Sequence, residues 1–384
     1  MITAIVTILM FLVMVSLHEF GHFITAKLMN FKILEYAIGF GPCLWRSKKR
    51  EIQYSLRIIP FGGYCKVEGE DEASDDPRAF SNQAVWKRII VVAAGGIFNI
   101  VLGFLIFLII ISQTSPMVTN EGESVVPESY ISESGLMAGD KIISINGKKV
   151  NFYNDITLYA QDFTEDTECE LVIKRNGEKK ILDFRPTRST SVYKYTDEGI
   201  DASSFVNGIE TEDKFYPYND ETEKDEELIG KEEKIDRLII GFVPAKEDVT
   251  FLNIWGECWN QTKFVVKLVY NSLWQMITGR VGVEQMSGPV GVVKEVNTAV
   301  NSGSGSWLYV LNLMALLTIN LGVFNLLPIP ALDGGRLFFM LIELVTRKKI
   351  PPEKEGLIHG IGFLLLIGLI IFVSYNDIIK LITG

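Results

Sequence analysis

Four long apolar blocks divide this chain, and each is close to the length that crosses a membrane. They lie at about residues 2–29, 89–111, 307–329 and 356–375. A helix needs about 20 predominantly apolar residues to cross the hydrocarbon core of a bilayer. The pattern therefore predicts a polytopic α-helical membrane protein with four transmembrane helices.

The segment between the first two blocks alternates apolar and polar positions, as β-structure does. Residues 52–58 predict one strand, and residues 60–67 predict a turn followed by a second strand. The expected result is a β-hairpin on the cytoplasmic side of the membrane. It is either an idle connector or an edge that receives an unfolded substrate segment, and the sequence leaves both interpretations open.

Beyond the second block the pattern becomes that of a small α+β domain. Residues 134–150 predict a short helix, a Gly-Asp turn, a strand and an Asn-Gly hairpin turn. A helix near residues 155–163 and strands at 168–175 and 179–185 follow. This pattern resembles a PDZ domain at about residues 115–186. PDZ domains add extended peptides to a sheet edge, but no glycine-aromatic carboxylate-binding loop is found at the usual place, so a passive steric role is equally open.

The remaining stretch before the third block is polar and then amphipathic. Residues 187–236 include the acidic run 220–227, lack the spacing of a calcium loop and predict a solvated insertion. A strand is expected at 238–243, and an amphipathic interfacial helix is expected within 251–286. The predicted parts of the chain are therefore residues 1–112, 113–250, 251–286 and 287–384.

Composition and charge agree with a membrane protein and suggest its orientation. The 384 residues are 48% hydrophobic, and residues 113–250 hold 30 acidic against 16 basic residues, a balance of −14. Basic clusters at 46–50, 87–88 and 347–349 follow the first and third blocks, which places those loops in the cytoplasm. Both termini and the PDZ-like region are then extracytoplasmic, in a multi-pass protein of the cell membrane. Nucleic acid is not an expected partner.

The chemistry begins with the sequence His18-Glu19-Phe20-Gly21-His22 inside the first apolar block. On a helix two histidines four residues apart share one face, which suits two imidazole ligands of one Zn²⁺, and Glu19 can reach a water on the metal as general base. The alternative is a buried histidine pair bonded to neighbouring helices. Ionisable groups at bilayer depth are costly and usually functional, which favours the metal.

A third protein ligand is required, and the best candidate is Asp333. It follows Pro328, Pro330 and two glycines that break the third helix, so it lies on irregular backbone level with the histidine motif. A helix cap at the membrane edge is the alternative. His359 is the only other histidine, so a site of three histidines would depend on it, and a carboxylate is favoured as the third ligand. Asn99 lies inside the second block, where its amide needs either another helix or a substrate backbone as partner.

These motifs, taken in order, resemble the site-2 protease family of intramembrane zinc metalloproteases, and more narrowly the bacterial enzymes that regulate sigma-factor release. The likeness rests on His18-Glu19-x-x-His22, the glycine-rich hairpin, the PDZ-like insert, Ser287-Gly288-Pro289 and the segment 325–334. It implies that Zn²⁺ is bound by His18, His22 and Asp333 and that Glu19 activates water. It also implies that an extended substrate is contacted by Asn99, Asn325, Pro328 and Pro330.

The resemblance further implies the substrates and partners. These are single-span membrane proteins already trimmed outside the membrane, such as anti-sigma factors, or remnant signal peptides, and the PDZ-like region would exclude untrimmed ones. Two other classes compete with an enzyme: a membrane-anchored PDZ scaffold with a structural metal, and a zinc transporter. The scaffold does not require Glu19, and a transporter should show metal ligands along a path. The oligomeric state is left open.

Overall fold

The computed structural model describes residues 2–70, 74–126, 129–218, 229–282, 288–301, 303, 305–348 and 352–383. These residues form two compact units: Met1–Ile110 together with Gln261–Gly384, and Ile111–Asn260. The acidic run 220–227 and Ser287, which the sequence singled out, lie outside the described residues.

Helices occur in both units, and most of the long ones lie in the first. They are α1 (Ile2–Leu28), α2 (Val85–Gln113), α3 (Tyr130–Glu133), α4 (Tyr153–Ala160), α5 (Asn253–Ile277), α6 (Pro289–Val300), α7 (Ser306–Leu326), α8 (Asp333–Thr346) and α9 (Pro352–Thr383). Among the described residues, four of these helices are long and apolar enough to cross a membrane: α1, α2, α7 and the part of α9 from Lys354 to Lys380. The prediction of four apolar spanning helices is confirmed. The helix expected within 251–286 also forms, as α5.

Small residues bring three of these long helices into contact. A Cβ added to Gly96 of α2 would lie 2.8 Å from the carbonyl oxygen of Gly322 in α7, and one added to Gly322 would lie 2.6 Å from that of Gly96. A Cβ on Gly21 of α1 would lie 2.7 Å from the Ala94 carbonyl oxygen. Backbones can approach this closely only where no side chain intervenes. The glycines therefore place α1 and α7 directly against α2.

The strands among the described residues belong to three sheets. They are β1 (Ile33–Lys49), β2 (Ile52–Val67), β3 (Met117–Val125), β4 (Lys141–Ile145), β5 (Lys148–Lys149), β6 (Cys169–Arg175), β7 (Glu178–Phe184), β8 (Thr187–Tyr195), β9 (Gly199–Val206), β10 (Ile209–Pro217), β11 (Glu232–Ile239) and β12 (Phe242–Glu247). The first unit contains the pair β1 and β2, and the second unit contains the other two sheets.

The hairpin of β1 and β2 is folded back on itself. Residues 35–38 of β1 pair with residues 63–66 on one side and with residues 53–56 on the other. The turn expected near residues 60–63 does not interrupt β2, which continues to Val67. Glu35 lies inside this sheet. Burial would raise its pKa, but hydrogen bonds from Ser55 and Arg57 outweigh burial and lower the pKa of Glu35 to about 2.

The second unit contains the strands and the second helix expected for the PDZ-like region, but the prediction of a short helix within residues 134–150 is wrong: α3 ends at Glu133, and residues 134–140 form turns and irregular backbone. Strands β12, β3, β4, β6 and β7 are neighbours in that order, with β5 beside β4, and helices α3 and α4 accompany them. Leu171 and Ile173 are fully buried, as alternation along β6 predicts. Ile142 and Ile145 of β4 are also fully buried although they are three residues apart, because the pairing of β4 with β6 shifts register between Ile142 and Ser144. The predicted strand at 238–243 instead spans the end of β11 and the start of β12.

Residues 187–217 and 232–239 form a four-stranded antiparallel sheet, in the order β10, β9, β8, β11. The sequence predicted a solvated insertion here. The prediction missed the sheet because its buried positions are occupied partly by small polar residues, including Ser189 and Ser191, which weaken the apolar alternation. The pair Asn207-Gly208, both with positive φ, joins β9 to β10 and is the hairpin signal that could have revealed it.

Candidate metal centre

Three side chains predicted to bind a metal meet at one point of the first unit. The Nε2 atoms of His18 and His22 lie 3.2 Å apart, and each lies close to Oδ2 of Asp333, at 3.1 Å and 3.2 Å respectively. The histidines project from one face of α1, while Asp333 is the first residue of α8. The structure therefore brings together residues that are more than 300 positions apart in the sequence.

The spacing of these three atoms fits a Zn²⁺ ion. Zinc binds imidazole nitrogen and carboxylate oxygen at about 2.0–2.2 Å in a tetrahedron, so two of its ligand atoms are about 3.4 Å apart. The observed triangle has sides of 3.1–3.2 Å. Oδ2 of Asp333 is also buried without a hydrogen-bond donor in the described structure. A cation among the three atoms would satisfy it.

Helix α2 orients both imidazoles through one stripe of positions four residues apart. Nδ1 of His22 donates to the carbonyl oxygen of Val91 at 2.9 Å, which leaves the lone pair of Nε2 for a metal. A Cβ at Gly95 would lie only 2.3 Å from Nε2 of His22 and 2.8 Å from Cε1 of His18. Asn99 completes the stripe, with its amide 3.3 Å from Nδ1 of His18. The absence of a side chain at position 95 is therefore what allows the imidazoles to lie against α2.

Asn99 is fully buried and contacts the ligand His18. In the structure its Nδ2 faces Nδ1 of His18, and its Oδ1 has no hydrogen-bond partner. A metal on Nε2 of His18 requires the proton on Nδ1, and that proton needs an acceptor. Rotation of the Asn99 amide by 180° exchanges Oδ1 and Nδ2, because the two atoms occupy equivalent positions on the amide group. Oδ1 then faces Nδ1 of His18 and accepts its proton. Asn99 is thus suited to fix the tautomer of His18.

Glu19 lies beside the three ligands and is held by the β1–β2 hairpin. Its Oε2 accepts the backbone N–H of Cys65 in β2 at 3.1 Å. Both residues line a cavity of about 660 Å³ that also exposes His22, Asp333 and His359. Burial, with a contribution from the Glu19 carboxylate, raises the pKa of the Cys65 thiol.

Asp333 is carried by an irregular connection between α7 and α8. Helix α7 ends at Leu326, and the residue that caps α8 is Leu332, not Asp333. Ala331 has φ of 77°, a left-handed conformation that an alanine rarely adopts. Gly334 is required because a Cβ there would overlap the carbonyl oxygen of Leu327. The oxygen Oδ2 of Asp333 points to the imidazoles, so the helix-cap alternative is not what the geometry favours.

His359, the residue on which a site of three histidines would have depended, instead supports this connection from α9. Its Nδ1 accepts the backbone N–H of Ala331 at 3.1 Å. A Cβ added to Gly335 would lie 3.1 Å from Cε1 of His359. A Cβ added to Gly362, which is also in α9, would lie 2.5 Å from Cβ of Pro330, so Pro330 packs directly against this helix. The last long helix therefore contacts the turn that ends in Asp333.

Three residues predicted to contact substrate lie apart from the cavity lining. Asn325 is buried within α7, Pro328 is exposed, and Pro330 packs against α9. None of the three is among the residues that line the 660 Å³ cavity in the described structure. Their predicted contacts with substrate stay predictions.

Comparison with known proteins gives the same picture over almost the whole chain. Residues 6–369 match peptidase family M50. A protein of Clostridium acetobutylicum, named as a candidate zinc metalloprotease, is 34% identical over 98% of this chain and 97% of its own length. The zinc metalloprotease RasP of Oceanobacillus iheyensis is 28% identical over 99% of this chain and 100% of its own. The RasP protein of Bacillus licheniformis is 27% identical over 99% of both.

Proposed function

The chain belongs to peptidase family M50, and from this premise we propose that it cleaves single-span membrane proteins within or near their membrane-spanning segment. It is a membrane metalloprotease that uses Zn²⁺. Membership of a peptidase family favours an enzyme over the scaffold and the transporter that the sequence left open. The observation that carries the proposal is the triangle of ligand atoms with Glu19 beside it. The two histidines and Glu19 lie on α1, a helix long enough to span the bilayer.

In the proposed site His18, His22 and Asp333 hold the ion. When bound, zinc would polarise the scissile carbonyl and make a water molecule more acidic. Glu19 takes a proton from the attacking water and passes it to the leaving nitrogen of the peptide bond. The Cys65 N–H keeps the Glu19 carboxylate turned toward the cavity before the substrate arrives.

The same hairpin supports a way of holding the substrate. A helix must be unwound before a protease can reach its peptide bonds, and an unwound segment can pair with the edge of a sheet. Residues 63–66 of β2 pair with β1 on one side only in the described structure, and Cys65 among them contacts Glu19. We propose that this edge binds the extended substrate, with Asn325, Pro328 and Pro330 contributing as the family resemblance implies.

The proposal also covers orientation and substrate choice. The basic residues at 46–50 and 347–349 favour a cytoplasmic position for the loops that follow α1 and precede α9. Both termini and the PDZ-like region would then be outside. There that region would exclude substrates with large external domains, so that pre-trimmed proteins such as anti-sigma factors or remnant signal peptides are cleaved.

The test is cleavage of a labelled single-span peptide by purified protein in detergent. We expect the wild type to cut within the span, and Glu19→Gln to retain one zinc per chain while losing at least about 100-fold in rate, since general-base catalysis contributes 10²–10⁴-fold. Glu123→Gln, an exposed change of the same chemistry in β3, is the matched control and should cut normally. Equal cleavage by wild type and Glu19→Gln would contradict the role of Glu19.

Substrate selection needs its own pair of substrates. The same span is offered with a short external tail and with a folded external domain, in proteoliposomes of wild-type protein. The proposal expects the short form to be cut much faster. If the two forms are cut at equal rates, the PDZ-like region does not act as a size filter, although the enzyme assignment would be unaffected.

A further inference from the structure

The folded-back sheet of β1 and β2 has two chemically different ends. One end exposes a group of large apolar side chains: Phe40, Leu44, Trp45, Leu56, Ile58 and Ile59. The other end is the turn between the strands, Lys49 to Ile52, and it lies beside the C-terminal end of α1. The sheet is therefore amphipathic along its length rather than between its faces.

The apolar end points back along α1 toward the middle of the bilayer. Near the end of α1, Ile33 of β1 lines the same cavity as Lys27. Three residues further along β1, the hydroxyl of Tyr36 donates to the carbonyl oxygen of Ser16, more than ten residues back along the helix. Because β1 and α1 run in opposite directions, Phe40 and its apolar neighbours lie at membrane depth and the turn at 49–52 lies at the surface.

The polar end encloses a cavity whose charge is strongly positive. This basic cavity has a volume of about 620 Å³, and its charged lining consists of Lys27, Lys49, Arg50, Arg78 and Glu51. Glu51 is already bound to Arg78 at 2.9 Å. In the part of the chain that the structure describes, Lys27, Lys49 and Arg50 have no carboxylate within ion-pair distance. Among the described residues, these three positive charges therefore have no counter-charge.

The depth of the basic cavity matches the headgroup layer. Helix α1 has 27 residues, a length of about 40 Å, while the hydrocarbon core is about 30 Å thick. The helix is therefore about 10 Å longer than the hydrocarbon core. The cations of Lys27 and of the β1–β2 turn favour placing the excess at the Leu28 end, in the polar layer where the phosphates of lipids lie. The basic cavity opens at this end, between Lys27 and the β1–β2 turn.

We propose that the basic cavity binds the phosphate of an anionic lipid headgroup. Lys49 and Arg50 from the turn and Lys27 from α1 hold the phosphate, and the apolar end of the same sheet lies among the acyl chains. The bound lipid fixes the sheet against α1, and the same sheet carries the Cys65 N–H that contacts Glu19. Lipid binding at this site requires neither the metal nor a peptide substrate.

The test uses two double variants that remove equal charge from one short run of the chain. The pair Lys49→Gln and Arg50→Gln removes two positively charged side chains from the lining of the basic cavity. Arg46→Gln with Lys48→Gln removes two exposed cations that do not line it. Purified full-length protein in detergent is titrated with phosphatidylglycerol, and separately with phosphatidylcholine of the same acyl chains. Native mass spectrometry counts the lipid retained and gives a dissociation constant for each.

We expect wild type to retain one phosphatidylglycerol in preference to phosphatidylcholine. Loss of both cavity cations should weaken phosphatidylglycerol binding by roughly 30-fold, and the control pair should change it by less than about threefold. Equal weakening by the two pairs would show general attraction to negative charge and overturn the proposal, as would equal binding of the two lipids by wild type.

A free phosphate is the other source of the same chemistry, and inorganic phosphate distinguishes it. Millimolar phosphate is added to wild type loaded with phosphatidylglycerol. If the lipid stays bound, the apolar surroundings of the cavity contribute to the binding and the lipid assignment stands. If phosphate displaces the lipid from wild type, and if the double variant Lys49→Gln/Arg50→Gln no longer binds phosphate, the cavity is a site for soluble phosphate and the lipid assignment is wrong.

Discussion

The two halves of the candidate metal centre are supported in opposite ways. His18 and His22 lie on an uninterrupted helix, and their Nδ1 atoms contact positions 99 and 91 on a single stripe of α2. Asp333 follows an irregular connection whose Ala331 has positive φ and is bonded to His359 of α9. The histidine half is fixed by contact between two regular helices. The aspartate half depends on the loop between α7 and α8 and on the side chain of His359 in α9.

This difference predicts that the histidine half tolerates almost no added volume, and Gly95→Ala is the strongest test. The new methyl carbon would lie 2.3 Å from the Nε2 atom proposed to bind zinc. His22 cannot turn away without breaking its bond to the Val91 carbonyl oxygen. We expect zinc affinity to fall by more than about 100-fold, with proteolysis lost in parallel. Bound zinc after dialysis against a chelator gives the measurement.

The matched control for Gly95→Ala is Gly368→Ala. It adds the same methyl group to a glycine in α9, where no atom lies within 4 Å of the new carbon. Alanine favours helices over glycine, so the control should fold normally and keep its zinc. Normal zinc binding by Gly95→Ala would show that the imidazoles are free to move and that the histidine half is not rigid.

The role of Asn99 sharpens the comparison because two functions predict different measurements. If Asn99 orients His18, Asn99→Leu should lower zinc affinity by about 10–100-fold. Asn99→Asp should restore it, since a carboxylate accepts the Nδ1 proton. If Asn99 contacts substrate instead, zinc affinity should be unchanged in both variants and KM should rise. Metal titration and steady-state kinetics on the same preparations separate the two results.

The aspartate half should give a smaller effect, and His359 is the residue to change. His359→Leu removes the acceptor for the Ala331 N–H, and the loss of one hydrogen bond is worth about 1 kcal/mol, or roughly fivefold in zinc affinity. His359→Asn should retain most of the affinity, because its Oδ1 occupies the place of Nδ1. The d–d spectrum of the Co²⁺-substituted protein reports whether Asp333 has moved.

A result in which His359→Leu and His359→Asn lose zinc equally would show that packing of the ring, and not the hydrogen bond, supports the turn. Leu357→Ala is a control on the same helix, since its side chain is 66% exposed and does not line the cavity. It should leave both the zinc affinity and the cobalt spectrum unchanged.

The same contrast explains what the sequence could predict. The histidine pair and Glu19 were predictable because a helix brings positions four apart to one face. Asp333 was predictable only as an ionisable residue on broken backbone near the membrane, since no local pattern specifies a partner 300 residues away. The bond from Ala331 to His359 could not be predicted, because it joins two elements whose sequences carry no sign of each other.

Outside the site the same limit appears in the second unit. Strands bounded by Gly and Asn turns, such as Cys169–Arg175, were predicted within one residue of their observed ends. The sheet of β8 to β11 was missed, although Asn207-Gly208 marked one of its turns. Alternation of apolar residues predicts a sheet only when its buried face is apolar, and Ser189 and Ser191 are buried in this one.

The smallest expected effect concerns Ala331, where the aspartate half stores strain. A left-handed conformation costs an alanine about 1–2 kcal/mol, and glycine removes that cost. Glycine also gives the unfolded chain about 0.4–1 kcal/mol more entropy. Ala331→Gly should therefore stabilise the protein by roughly 0.5 kcal/mol, a small rise in the thermal unfolding midpoint in detergent.

The control is an alanine-to-glycine change that should lower the thermal unfolding midpoint. Ala315→Gly lies in the buried middle of helix α7, where glycine is less favourable than alanine by about 1 kcal/mol. It should lower the midpoint that Ala331→Gly raises. If Ala331→Gly lowers stability as much as Ala315→Gly does, the turn before Asp333 is not strained. The hydrogen bond from the Ala331 N–H to His359 would then result from the turn's conformation and would not stabilise it.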